Sequence, residues 1–108
     1  MKRLSAILAL ALIPVSAGAE VLQSENLRAD LIRRGVSMTS ETGDAIKAEQ
    51  VHVTMRRRDG QPIGAGDLNG YVGFAEKASC KGRPVMVSLI LGASDGAGHF
   101  EVLCASGG

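Results

Sequence analysis

The sequence has few aromatic residues and almost no net charge. Its 108 residues include no tryptophan, one tyrosine and two phenylalanines, so aliphatic side chains must form most of the core. Flat aromatic platforms that stack on sugars or bases are correspondingly scarce. The formal net charge of +1 supplies no overall field to attract nucleic acid or anionic lipid. These absences disfavour carbohydrate binding, and we expect no nucleic-acid partner.

Motifs for catalysis and metal binding are also missing. His52 and His99 are the only histidines, and neither stands in the His-Glu-X-X-His spacing typical of zinc sites. No Gly-X-Ser-X-Gly turn marks a hydrolase nucleophile. The glycine-rich segment 64–70 lacks the Gly-Lys-Ser or Gly-Lys-Thr end of a phosphate-binding loop, so we interpret it as a flexible connector. The sequence therefore predicts no catalytic residues, no metal site and no cofactor.

The first nineteen residues have the pattern of a bacterial-type signal peptide. Two basic residues precede an apolar run over residues 4–15, and small residues follow at 17–19. The run contains Pro14 and is shorter than the ~20 apolar residues that a membrane span needs. We therefore predict Sec export, cleavage before Glu20, and a periplasmic or extracellular protein with no transmembrane segment after cleavage.

The remaining segment, residues 20–108, is predicted to be a single small exported domain. Its 89 residues are too few for two independent cores. Lys2 and Arg3, two of the chain's twelve basic residues, leave with the signal peptide, whereas all eleven acidic residues remain. The mature domain thus stays close to neutral, with a formal charge of −1.

Cys80 and Cys104 are the only cysteines, and we predict that they form a disulfide bond. Exported chains meet an oxidising environment in which such a pair is usually bonded. Closing the loop between them would stabilise the fold by ~3 kcal/mol in the chain-entropy account. Their wide separation differs from the Cys-X-X-Cys spacing of redox-active pairs.

The pattern of residues predicts an α+β fold: an N-terminal helix packed on a mainly antiparallel sheet of about four strands, with one disulfide. Ser24 is a suitable helix N-cap, apolar residues follow at helical spacing, and Gly35 can end the helix. Residues 45–50 fit one further helical turn. Four segments fit strands: 51–55, 71–75, 85–91 and 99–104. Of these, 85–91 is apolar on both faces, which is typical of a central, covered strand.

The Asp95-Gly96 pair predicts a hairpin in which Ser94 pairs with Ala97. Regular continuation of that register places Leu91 opposite Phe100, Leu89 opposite Val102 and Val87 opposite Cys104, with His99 and Glu101 on the other face.

A tight turn at residues 81–82 would hold Cys80 beyond the ~7 Å Cα separation that a bond to Cys104 allows. Either residues 77–84 fold back over the sheet, or the sheet curls, or the strand order differs. We favour the fold-back, because the basic residues of this segment suit a core strand poorly.

The densest charge cluster, residues 56–58, is the candidate binding site. Alternation from Val51 places His52, Arg56 and Arg58 on one polar face of the predicted strand. Arginine suits bidentate recognition of carboxylate or phosphate groups, so this face could bind an acidic partner. The alternative is a solvated strand end.

These observations favour a small, non-enzymatic binding or accessory protein that contacts another exported or envelope protein. The contact would use the polar face or an exposed edge strand extended by a strand of the partner. The alternative is a small periplasmic enzyme, either a hydrolase using His52 or His99 or a thiol-redox enzyme using Cys80 and Cys104. Self-association through the same edges is a third possibility.

Overall fold

The computed structural model describes residues 17–106, so most of the predicted signal peptide lies outside the described residues. The elements in chain order are β1 (Ala17–Gln23), β2 (Leu27–Thr39), β3 (Ala45–Arg57), α1 (Leu68–Cys80), β4 (Val85–Ser94) and β5 (Ala97–Ala105). A short 3-10 turn, Ala65–Asp67, leads directly into α1. Within this part of the chain, no helix is long and apolar enough to cross a membrane.

The five strands form one antiparallel sheet in the order β1-β2-β3-β5-β4. After β3 the chain crosses over through α1 to the far edge, and the β4–β5 hairpin then inserts β5 beside β3. β1 and β4 are the two edge strands. The α+β class and the antiparallel sheet are confirmed, but the sheet has five strands rather than four.

One face of the sheet packs against α1 and holds the core. The alternating residues of β2, β3 and β5 that face α1 are buried, and the helix contributes Leu68, Ala75, Ala78 and Cys80. The buried strand residues are Ala29, Leu31, Val51, Val53, Met55, Phe100, Val102 and Cys104. As the composition predicts, aliphatic residues form most of this core, with Phe100 buried among them. We call the opposite side of the sheet, which no described element covers, the open face.

The predicted N-terminal helix is wrong, because residues 27–39 form strand β2. Ser24 does not cap a helix. Its Oγ instead accepts a hydrogen bond from the Leu27 amide at 3.1 Å and closes the β1–β2 turn. Ala29 and Leu31 are buried, as a period of two requires, and β2 pairs with strands on both sides. The backbone hydrogen bonds that β2 forms with β1 and β3 outweigh the helical spacing of its apolar residues. The expected helical turn at 45–50 is likewise part of β3.

The helix lies in the second half of the chain, at residues 68–80, where the sequence predicted a strand at 71–75. Leu68, Ala75 and Ser79 are buried on one side of α1, which matches helical spacing. The glycine-rich segment that we interpreted as a flexible connector contains the 3-10 turn and the first residues of α1. The Gly64 amide donates to Asp67 Oδ2 at 3.0 Å and fixes the entry to the helix.

The predicted β4–β5 hairpin is confirmed at its turn, but its register shifts by one residue further along the strands. Ser94 pairs with Ala97, and the positive φ angles of Asp95 (53°) and Gly96 (79°) suit a type I′ turn. A bulge between Ile90 and Gly92 moves the register by one residue. Phe100 therefore pairs with Ile90 rather than Leu91.

Beyond this bulge, the residues of β4 lie on the faces opposite to those predicted. Leu89 pairs with Glu101 and Val87 pairs with Leu103, so both lie on the open face. A second irregularity separates Val85, the residue paired with Cys104, from Val87.

The predicted Cys80–Cys104 disulfide is present, with a Cα–Cα distance of 5.4 Å. The last turn of α1 lies over the sheet and brings Cys80 onto β5, so the chain reaches Cys104 by crossing the sheet as a helix. Lys81 and Gly82, with φ angles of 52° and 90°, then turn the chain down into β4.

Candidate functional site

His52 lies on the open face near the middle of β3, half-buried between Ile32 of β2 and the polar residues His99 and Glu101 of β5. Its Nδ1 is 3.8 Å from Glu101 Oε2, and its ring centroid is 6.0 Å from that of His99. Gln50 Nε2 donates to Glu101 Oε1 at 3.0 Å, so this carboxylate already has a partner. The predicted placement of His99 and Glu101 on one face is confirmed, and that face also carries His52.

The two arginines predicted to lie beside His52 form hydrogen bonds to two different turns. Arg56 Nη1 donates to the Asp95 carbonyl oxygen in the β4–β5 turn at 3.0 Å. Arg58, beyond the end of β3, donates from Nη1 to the Ser24 carbonyl oxygen in the β1–β2 turn at 2.9 Å. Arg56 shares the open face with His52, whereas six residues of strand would separate Arg58 from it by ~20 Å. The structure therefore does not bring the three side chains together.

Arg57, between these two residues, is paired with Asp59. Its Nε donates to Asp59 Oδ1 at 3.1 Å. This hydrogen bond, together with the Gln61 amide, lowers the pKa of the Asp59 carboxyl below its ordinary value, and Asp59 in turn raises the pKa of Arg57. Both groups are exposed, so the pair organises the strand end without contributing much stability.

A cavity of about 680 Å³ lies beside this strand end, between the β1–β2 turn and α1. Its charged lining consists of two basic residues, Arg57 and Arg58, and two acidic residues, Glu25 and Asp59, and Tyr71 also lines it. The charges balance, and both guanidinium groups already donate to protein oxygens. The cavity therefore lacks the uncompensated positive charge that a phosphate or carboxylate site needs.

The open face also holds one serine–histidine pair, Ser94 Oγ and His99 Nε2 at 3.1 Å. A hydrolase would need a third group to orient the histidine. The carboxylate in salt-bridge range of a histidine, Glu101, faces His52 instead. Between residues 17 and 106 no group of three or more His, Cys, Asp or Glu side chains could hold a metal ion.

The most apolar exposed feature is strand β4, which sequence analysis assigned to the sheet centre. Six of its first seven residues are large hydrophobics with 40–53% of their surface exposed: Val85, Met86, Val87, Leu89, Ile90 and Leu91. β4 pairs with β5 on one side only, and residues 85–94 include no charged side chain. We call residues 85–91 with their unpaired backbone the β4 edge. Natural sheet edges usually carry charges or proline that discourage pairing, and this one does not.

The β4 edge continues onto the open face through a shallow groove of about 150 Å³. Val87, Leu89 and Leu103 form its apolar lining, and Gln50 and Glu101 form its polar side. The exposed apolar residues of the β4 edge therefore lie next to Glu101, the carboxylate close to His52.

A cluster of ionic groups that the sequence analysis missed holds the C-terminal end of α1. Arg33 donates to the carbonyl oxygens of Ala78 (3.0 Å) and Ser79 (2.6 Å), and also to Glu49 (3.0 Å). Arg83 Nη2 donates to the same Glu49 oxygen at 2.6 Å. These contacts satisfy carbonyl oxygens of the last helical turn, which have no amide partner within the helix, so the cluster is structural.

Comparison with protein-family models, curated proteins and solved structures finds no match to this chain.

Proposed function

We propose that the protein is a small exported, non-enzymatic accessory protein that binds another exported or envelope protein through the β4 edge. The supporting observation is the run of six half-exposed hydrophobic residues on an uncharged, unpaired strand. A contiguous exposed apolar surface of this kind is typical of a protein-interaction site. Export rests on the signal-peptide pattern, and the disulfide suits an oxidising compartment.

The proposed mode of binding is addition of a partner strand to the sheet. The unpaired backbone groups of β4 would form a ladder with an extended segment, which gives affinity that depends little on the partner's side chains. Specificity would come from residues on the open face beside that ladder. Val87 and Leu89 offer apolar contacts there, and Glu101 offers a hydrogen-bond acceptor at the groove.

The burial of the disulfide supports a binding role over a thiol-redox role. Cys80 and Cys104 are 1% and 0% exposed, so neither sulfur is accessible to a thiolate from solvent or substrate. Exchange requires direct attack on a disulfide sulfur. The bond therefore serves as a staple between α1 and β5.

A capture experiment tests the proposed function. The full chain, tagged at its C terminus and recovered from the exported fraction, is compared with Leu89→Lys and with Ile32→Lys. Leu89 and Ile32 are both 53% exposed on the open face, but Ile32 lies in β2, away from the edge. A partner captured by the wild type and Ile32→Lys, and lost with Leu89→Lys, supports the β4 edge.

The predicted site at His52, Arg56 and Arg58 supplies the competing outcome. If capture survives Leu89→Lys but is lost when these three residues are replaced by alanine, the partner binds the open face near β3 and the β4 proposal is rejected. Circular dichroism of every variant confirms that it is folded.

A further inference from the structure

The sequence of the β4 edge is symmetric in character about Ser88. Val87 and Leu89 flank it, Met86 and Ile90 follow, and the outermost residues are again apolar. If a second copy of β4 ran antiparallel to the first with Ser88 at the centre, each apolar residue would meet an apolar residue. This self-complementarity is what a two-fold symmetric interface requires of a single surface.

The sides of the sheet on which the β4 residues lie are compatible with this antiparallel pairing. In an antiparallel ladder the two-fold axis is perpendicular to the sheet, so paired residues share a face. Val87 and Leu89 both lie on the open face, opposite Leu103 and Glu101, and can therefore pair with each other across the axis. The Ser88 hydroxyl donates to Glu76 of α1, which places Ser88 on the helix side. Residues 87–90 lie between the two bulges and form the regular part of the strand.

The charges of the edge also permit self-pairing. Because residues 85–94 carry no charged side chain, the two strands meet without like-charge repulsion between their own residues. The Glu76 carboxylate that accepts from Ser88 lies near the axis but belongs to α1. A charged partner strand would gain no salt bridge from the residues of β4. An uncharged apolar strand is the complementary chemistry, and β4 itself has that chemistry.

The available area indicates a reversible dimer. If full burial of such a side chain removes ~100 Å² of apolar surface, the six half-exposed residues supply ~300 Å² per copy. Stable complexes bury ~800 Å² per partner, so this apolar surface with a short backbone ladder corresponds to a weak interface. We expect association that depends on concentration.

We propose that the strand added to β4 is β4 of a second copy, paired antiparallel about Ser88, so that two five-stranded sheets join into one of ten strands. This inference rests on the proposed function: it keeps the β4 edge as the binding surface and names a second copy of this exported chain as the protein bound there. The open faces of the two copies would lie on the same side and form one continuous surface. That surface would remain available to a further protein.

The first test is the solution mass of the full chain, measured by sedimentation equilibrium over a range of concentrations. The wild type and Ile32→Lys are expected to approach twice the monomer mass as concentration rises. Leu89→Lys is expected to stay at the monomer mass, because it places two charges beside the axis. A dimer that Leu89→Lys leaves intact overturns the inference.

Cross-linking provides a second test that does not depend on disrupting the edge. Residues directly opposite in an antiparallel pair have Cα atoms ~4.5–5.5 Å apart, within the range of a disulfide. Ser88→Cys should therefore form a covalent dimer on mild oxidation. Ser94→Cys is the matched control, because the same pairing holds its two copies ~40 Å apart. Equal cross-linking of both variants overturns the inference.

The outcomes separate the two proposals. A monomeric wild type that still captures another protein in a Leu89-dependent manner overturns the dimer and leaves the proposed function standing. A monomeric wild type with no Leu89-dependent capture overturns both.

Discussion

At the scale of single residues, Gly98 sets how closely α1 approaches β5. A Cβ atom at this position would lie 2.7 Å from Leu68 Cδ2 and 3.3 Å from Phe100 Cε1. Leu68 and Phe100 are both buried, so neither side chain can move freely. The glycine is therefore required for packing, and the contact determines where the N-terminal end of the helix rests on the sheet.

Gly98→Ala is expected to destabilise the fold by about 1–2 kcal/mol. Overpacking a filled core costs ~1–3 kcal/mol, whereas restricting the unfolded chain returns only ~0.4–1 kcal/mol. Urea unfolding followed by far-ultraviolet circular dichroism measures the net effect.

Gly73→Ala is the matched control for that substitution. Gly73 is exposed in the interior of α1, and nothing lies within 4 Å of its added Cβ. Alanine should stabilise the protein there by ~0.5–1 kcal/mol, because glycine is unfavourable inside a helix. Equal effects of the two substitutions would contradict the packing role of Gly98.

At the scale of elements, Glu49 of β3 links the C-terminal end of α1 to the sheet. It accepts hydrogen bonds from Arg33 of β2 and from Arg83, which precedes β4. Partial burial opposes its charged form, but the hydrogen bond from Arg83 and the charges of both arginines outweigh it and lower the pKa of Glu49 below 4.5. Glu20 of β1 joins the cluster, because bonds from Lys81 and Arg33 lower its pKa as well.

Glu49→Gln should destabilise the protein at pH 7 by about 1–2 kcal/mol. This is below the ~1.5–3 kcal/mol range for a hydrogen bond to a charged group, because solvent partly screens the side chain. A carboxyl whose pKa is lowered by folding contributes its full stability above its unfolded pKa of 4.5 and loses that contribution as pH falls through the folded value. The difference between wild type and variant should therefore shrink below pH 4.5.

Urea unfolding at a series of pH values between 7 and 3 checks this linkage, with Glu41→Gln in the exposed β2–β3 turn as control. A difference for Glu49→Gln that stays constant down to pH 3 would show that the carboxylate charge does not act as described.

The elements differ in how far the sequence could predict them. Part of β3, residues 51–55, was predicted because its buried residues alternate strictly with polar ones. The Asp95-Gly96 turn was predicted because its conformation is a local preference of these two residues. β2 was not, since Leu27 and Leu31, four residues apart, fit both the helical period and the period of two, and only pairing with β1 and β3 decides between them. Gly92, with a φ angle of 130°, is a local signal for the bulge after Ile90, but it was not used in predicting the register. The bulge reverses the faces of residues 87–90.

At the scale of the whole molecule, the fold is a single helical layer on a single sheet. The described chain measures 53 × 46 × 22 Å, and its short dimension fits one helix packed on one sheet. One helix cannot cover both faces of five strands. The open face and the β4 edge are therefore direct consequences of the topology.

Of the two candidate surfaces, the sequence could predict the polar open face but not the β4 edge, because the edge is created by the topology. The polar open face around His52 follows from alternation within β3, which the sequence shows. The β4 edge depends on β5 lying between β3 and β4, a strand order that local patterns do not encode. An apolar run such as 85–91 looks the same whether it is buried at the centre of a sheet or kept for a partner.

Hydrogen exchange of the β4 amides tests the central claim, that the β4 edge is a binding surface, most directly. At concentrations where the wild type associates, we predict slowed exchange over residues 87–90 that accelerates on dilution and in Leu89→Lys, while β3 amides keep their protection. The account would be contradicted if the chain associates but exchange over residues 87–90 stays the same on dilution and is unchanged by Leu89→Lys.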